Sequence, residues 1–255
     1  MATSITYTAL PGLPLVEPGD DLVAIIADGV RRAGLDVADG DIFVLAQKIV
    51  SKSENRYVDL ADVTPSARAY ELAEVVGKDP RHIEVVLSES AEIVRTRPNV
   101  IIAAHRLGFV MANAGIDESN IRHDDDRQQL LLLPENPDAS CETLRTGLIG
   151  AFGADVGVIM NDSFGRPWRN GVVGVAIGCA GVPSLQDMIG RPDLFNRAMR
   201  VTEIAIADEL AAAASLVMGQ ADEGQPVVHV RGFRSTVPVN PASALVRPKE
   251  RDMFR

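Results

Sequence analysis

The chain has 255 residues, 46% of them hydrophobic and 24% charged, with a formal net charge of -10 at pH 7. That length and balance suffice for one large core or two smaller ones without staples, and the acidity excludes electrostatic capture of nucleic acid, which needs a basic surface. Cys141 and Cys179, the only cysteines, have no metal-ligand spacing and give no disulfide framework. The amino terminus lacks the basic flank and apolar stretch of a signal peptide, and the longest apolar run, 172–182, is about half of the roughly 20 residues that cross a bilayer. A cytoplasmic protein without a membrane partner is expected.

Ile5 to Ala9 reads as a first strand, and a helix follows over about 21–33 with Leu22, Ile25, Ile26 and Val30 on one face until Gly34 stops it. Ile42 to Ala46 is a strand that enters Gln47-Lys48-Ile49-Val50-Ser51-Lys52. Thr64 followed by Pro65 predicts the start of a second helix, running to about Val76, with a short helix near 80–89. The β-branched runs at Ile93-Val94 and Val100-Ile102 predict strands. The polar 122–128 stretch, with HDDD from His123, reads as solvated surface, with a metal site as the alternative. A helix over about 139–152, a strand at 156–160, a helix over about 201–218 burying Ile204, Leu210 and Leu216, and a strand from Val227 to Val230 complete the pattern.

Two polar blocks stand out, NAGIDESN at 113–120 and NDSFGRPWRNG at 161–171, each just after a run that reads as a buried strand. Loops at strand ends are where binding and catalytic groups concentrate. Asp117 and Asp162 are the candidate metal ligands, with the Ser163 hydroxyl beside them, because hard cations take oxygen donors and often bind through one or two carboxylates plus substrate phosphates. The plain alternative is that each Asp caps a turn through its own backbone.

Lys48, Lys52, Arg56, Arg166, Arg169, Arg231 and Arg234 could mark an anion pocket or be solvated charges. Trp168 could stack on a ring or wedge its loop into the core. The dispersed His82, His105, His123 and His229 read as structural. The chain has no GxxxxGK[ST] loop, no GxGxxG after a strand, no HExxH and no GxSxG elbow, so nucleophilic hydrolysis has no support.

GLPLVEPGDDL (12–22), AQKIVSKSENR (46–56), NAGIDESN (113–120), NDSFGRPWRNGVVGVAIG (161–178), ADELAAAASLVMG (207–219) and PVVHVRG (226–232) together resemble, in order, the coenzyme F-420:L-glutamate ligase family, also called F-420-0:gamma-glutamyl ligases. The resemblance implies a GTP-dependent acid–amine ligase that activates the carboxylate of the F-420 precursor as an acyl phosphate, joins it to L-glutamate, and can add a second glutamate through a gamma linkage. It implies magnesium or manganese, with potassium as a further cation, held by Asp117, Asp162, Ser163 and Gln220. Many relatives have threonine at the Ser163 position and some have glutamate at the Gln220 position. The catalytic set is then Asp117, Asp162 and Lys52. GTP is expected against Leu13, Pro14, Leu15 and Val16, against Gln47, Lys48, Lys52 and Asn120, and along Met218, Gly219, Gln220, Ala221, Asp222, Glu223, Gly224 and Gln225.

The implied fold is a two-domain α+β protein with mixed and antiparallel sheets that forms an intertwined homodimer. About 1–80 with 190–245 would form one domain, 81–189 an inserted one, and 246–255 a tail; no flavin-reductase-like domain is expected after Arg255. The glycine-rich run at 172–182 is either a core strand or part of the subunit contact. Competing readings are a ligase of the same kind acting on another acidic acceptor, for example a folate-like molecule, and a nucleotide-binding regulator without turnover.

Overall fold

The computed structural model describes residues 4–121 and 128–253, so the HDDD group lies outside the described residues. Its central sheet has five strands in the order β1 (Thr6–Ala9), β12 (Val227–Arg231), β2 (Ile42–Ala46), β8 (Gly157–Arg166) and β9 (Arg169–Ala180). All pairings are antiparallel except β2 with β8, so the sheet is mixed. The fold is α+β, as the resemblance implied. Strands from both segments assigned above to separate domains share this sheet.

One face of the sheet carries α1 (Leu22–Ala33) and α5 (Pro137–Phe152); the other carries α6 (Ile206–Met218). Helix α1 begins where Asp21 Oδ1 accepts from the backbone N–H of Val23 and Ala24, and ends at Gly34 with φ 64°. Its buried residues are Leu22, Ile26, Gly29 and Val30. The short α2 (Gln47–Ser53) follows β2 directly.

A separate core lies between α3 (Ala67–Val76), α4 (Pro80–Ser88), β3 (Tyr57–Asp59), β4 (Ser90–Arg97), β5 (Val100–His105) and β7 (Gln129–Leu131), and includes Leu72, Ile83, Ile101 and Leu130; β6 (Val110–Ala112) pairs with β5, and its buried Met111 belongs to the core under α1 and α5. Two short strands, β10 (Gln186–Asp187) and β11 (Glu203–Ile204), form the base of an arm.

Four local expectations need correction. The second helix is capped by Ser66, whose hydroxyl accepts from Ala69 N, so the turn containing Pro65 precedes the helix. The 156–160 strand does not stop before Asp162: β8 continues to Arg166, so Asp162 and Ser163 stand on a strand and not in a loop. Helix α6 starts at Ile206 because Glu203 and Ile204 are used by β11, and Leu216 is 88% exposed. Trp168 is no core wedge, being 88% exposed at the tip of the β8–β9 hairpin.

From Gly174 to Ala180 the glycine-rich run is a core strand, while Val172 at its start is 53% exposed. A Cβ on Gly174 would come within 2.5 Å of the Ala211 carbonyl and Ser215 Oγ on α6, and one on Gly178 within 2.5 Å of the Pro137 carbonyl on α5. The missing side chains let two helices close on the two faces of β9. Ala176, Ile177, Cys179 and Ala180 are thereby buried within one subunit.

Candidate active site

The register brings three chain segments together at one end of the sheet. Ala46, the last residue of β2, pairs with Asn161 of β8, and its N–H donates to the Pro226 carbonyl at 2.8 Å just before β12. The start of α2, the outer half of β8 and the turn after α6 therefore meet.

Asp117 enters from the segment after β6. There Asn113, Ala114 and Gly115 all have φ between 52° and 73°, left-handed backbone that is uncommon for residues other than glycine. Beyond this turn Asp117 exchanges both backbone hydrogen bonds with Leu131, at 2.9 and 3.0 Å. Two contacts brace the same segment: Lys78 Nζ, in the turn between α3 and α4, donates to Asn113 Oδ1 at 2.9 Å, and His82 Nδ1 of α4 lies 2.5 Å from Glu118 Oε1. The backbone of Asp117 is thus fixed on both sides.

Its carboxylate is gripped by α2. Gln47 Nε2 donates to Oδ2 at 2.5 Å and Lys48 Nζ stands 3.0 Å from Oδ1. Lys52, one turn on, donates to the Asn120 carbonyl at 2.7 Å, and Asn120 Nδ2 donates to the Ala221 carbonyl at 3.3 Å. These bonds link α2, the 113–121 segment and the turn after α6. In that turn Glu223 Oε2 accepts from Ala221 N at 2.8 Å.

Burial raises the Asp162 carboxyl to about 7, and the charge of Asp117 adds to the shift. Burial also raises Asp117, against the pull of Lys48. Lys48 acts on both carboxyls, and burial outweighs it at each. On the neighbouring strand position, Ser163 Oγ donates to Gln220 Oε1 at 2.8 Å. Successive residues of a strand face opposite ways, so the four oxygen donors arrive as two pairs from the two sides of β8. Among the described residues no cluster of three or more His, Cys, Asp or Glu side chains is assembled. Each pair consists of hard oxygen donors, the kind a divalent cation takes.

Leu13 packs towards Gly29 of α1, Val16 is in the core and Leu15 is 78% exposed. Arg231 binds buried Asp41 together with His229, and Arg56 serves Glu89 and Glu135, so neither belongs to an anion pocket. Arg166 Nη1 is buried without a hydrogen-bond partner. His82, His105 and His229 are buried against Glu118, Glu89 and Asp41, as structural histidines are. A cleft of about 460 Å³ lined by Asp20, Glu54, Glu135 and Ser140 contains none of the site residues.

Sequence reading missed two buried supports, Ser51 beneath Gln47 and Asn161 beside Asp162. Asn161 Nδ2 donates to Ser215 Oγ at 3.2 Å and contacts Met218 Sδ at 3.6 Å, anchoring the end of α6. The four-residue spacing of Gln47 and Ser51 on one helix was the available signal for the first.

Paired carboxylates flanked by lysines suit an enzyme that handles anionic substrates. Residues 12–232 match the family model described as F420-0:Gamma-glutamyl ligase. The chain is 46% identical to the coenzyme F420:L-glutamate ligase of Methanothermobacter thermautotrophicus, across 98% of this chain and 99% of that protein. It is 46% identical to that of Methanopyrus kandleri (94% and 93% covered) and 47% identical to that of Methanocaldococcus jannaschii (86% of each). The chain belongs to the F420-0:gamma-glutamyl ligase family, and it is a ligase. No helix among the described residues is long and apolar enough to cross a membrane.

Proposed function

We propose that the protein uses GTP to join L-glutamate to the F-420 precursor, working in the cytoplasm as a homodimer of two-domain subunits. A carboxylate oxygen of the precursor attacks the gamma-phosphorus and GDP leaves. The glutamate amine then attacks the acyl carbon, phosphate departs, and the amine loses a proton as the amide forms. A second glutamate follows by the same chemistry at the gamma-carboxylate of the first.

The observation that carries this reading is the Asp117–Asp162 pair beside Lys48 and Lys52. Phosphoryl transfer between oxygens calls for positioning and charge neutralisation more than for a protein nucleophile. Asp117, Asp162, Ser163 and Gln220 would hold magnesium or manganese, with potassium as a further cation. When bound, the divalent ion neutralises charge on the transferring phosphate. Lys52 and Lys48 face the phosphates, Asn120 and the Met218–Gln225 segment line the nucleotide, and Leu13–Val16 covers it.

Two observations support the assembly. The core around Ile83 and Ile101 is distinct from the clusters on the central sheet, which favours two domains. The arm beyond β10 presents Leu194, 100% exposed, and Phe195, 81% exposed, an apolar tip that favours a partner copy.

Incubation with GTP, manganese or magnesium, L-glutamate and the deglutamylated precursor tests the proposal. The expected product gains the mass of one and then two glutamates with matching GDP release. GDP release without mass gain overturns it and leaves a different acceptor.

A further inference from the structure

Ser51 is fully buried and Gln47 is 2% exposed. The Ser51 hydroxyl donates to Gln47 Oε1 at 2.8 Å, and Gln47 Nε2 donates to Asp117 Oδ2 at 2.5 Å. The direction of this chain is fixed chemically. An ionised carboxylate only accepts, so the amide must present nitrogen to Asp117 and oxygen to the interior. The interior oxygen then needs a donor, and Ser51, one helical turn along α2, is the group that supplies it. Reversing the amide would set its oxygen against the Asp117 carboxylate.

We infer that Ser51 is a positioning residue for the ligase reaction: acting through the Gln47 amide, it holds the Asp117 carboxylate in the orientation in which that group meets metal and phosphate. The inference rests on the reading of Asp117 as a metal ligand. With the hydroxyl removed, the Gln47 amide is free to rotate and the carboxylate keeps only Lys48 on its other oxygen. Partners that orient a ligand in this way typically change metal affinity or activity by about 10- to 100-fold when removed.

The test is a double-mutant cycle of Ser51→Ala and Gln47→Ala, read both as manganese affinity by titration calorimetry and as kcat/KM for glutamate addition. Ser51→Ala should weaken both by about tenfold, Gln47→Ala by at least as much, and the double variant should match Gln47→Ala alone. Ser51→Thr, which keeps the hydroxyl, should recover most of the loss, and thermal midpoints identify any variant that fails to fold. Parental values in Ser51→Ala, or losses that multiply in the double variant, overturn the relay. Asp117→Asn serves as the reference. If it binds manganese like the parent, the metal reading fails, and the kcat/KM cycle still decides whether Ser51 acts through Gln47.

Discussion

The ammonium of Lys48 stands 3.0 Å from Asp117 Oδ1, and this is the one direct ion pair on the two carboxylates of the site among the described residues. At Asp162 burial and the repulsion of Asp117 outweigh the Ser163 N–H and the more distant pull of Lys48, and its carboxyl is pushed to about 7. The two aspartates are thus unequal, one held in an ion pair and the other in none among the described residues.

Asp117→Asn and Asp162→Asn should each lower kcat by about 100-fold or more at saturating metal, the scale of losing charge stabilisation at a phosphoryl-transfer site. The fold should persist, since each change removes a charge and keeps the shape. Steady-state kinetics together with circular dichroism make the check. Near-parental turnover in either variant removes that residue from the site.

Metal-free stability should depend on pH through Asp162. Its folded pKa of about 7 lies above an unfolded value of about 4, so the folded state binds the extra proton. Its contribution to stability is therefore fully present below about pH 4 and is lost as pH rises through about 7. Asp162→Asn should flatten that decline, and manganese should offset it in the parent. Urea midpoints at pH 5 and pH 8 would show it; equal slopes in parent and variant refute the assignment.

Asp41 should act in the opposite sense. Burial alone would raise its carboxyl, but hydrogen bonds from Arg231, Ala38 N and His229 outweigh it and hold the group at about 2. Its contribution is present above about pH 4 and is lost as pH falls towards about 2. Asp41→Asn should cost about 3 kcal/mol at pH 7, with the gap to the parent narrowing below pH 4, while kcat below the melting range stays unchanged. A fall in kcat without loss of stability would return Arg231 to the anion site.

Lys52→Ala should raise the KM for GTP by about tenfold, the equivalent of one charge-assisted hydrogen bond of about 1.4 kcal/mol. Its head group already points to the Asn120 carbonyl at 2.7 Å, at the seam of α2 and the turn after α6. Unchanged KM and kcat would make Lys52 a surface charge.

Much of this was legible beforehand for physical reasons. β2 matched its predicted bounds because Ile42 to Leu45 are buried on both faces and form an uninterrupted apolar run. Asp117 and Asp162 stood out because each is a carboxylate directly after such a run. What stayed hidden depends on distant pairing. Nothing local in NDSFGR announces that β8 continues through Asp162 to Arg166, since the pairing with Val172 to Gly178 decides it. Arg231 resembled a surface charge until Asp41, far away in sequence, was placed under it.

The arm makes the final prediction. Between β10 and β11 the backbone folds on itself, with Gly190 N donating to the Met199 carbonyl at 2.8 Å and Asp193 N to that of Arg197 at 2.8 Å. This ordered arm holds Leu194 and Phe195 out into solvent. Burying each such side chain is worth about 1.5–3 kcal/mol, so a partner surface that covers both would gain several kcal/mol from the pair. Leu194→Ser combined with Phe195→Ser should therefore weaken self-association by at least about 100-fold without disturbing the buried cores, which include neither residue. Light scattering at micromolar concentration should show the parent at twice 27.3 kDa and the variant largely as a monomer with reduced activity. A parent that is monomeric and fully active removes the homodimer, and a variant that still dimerises moves the contact away from the arm.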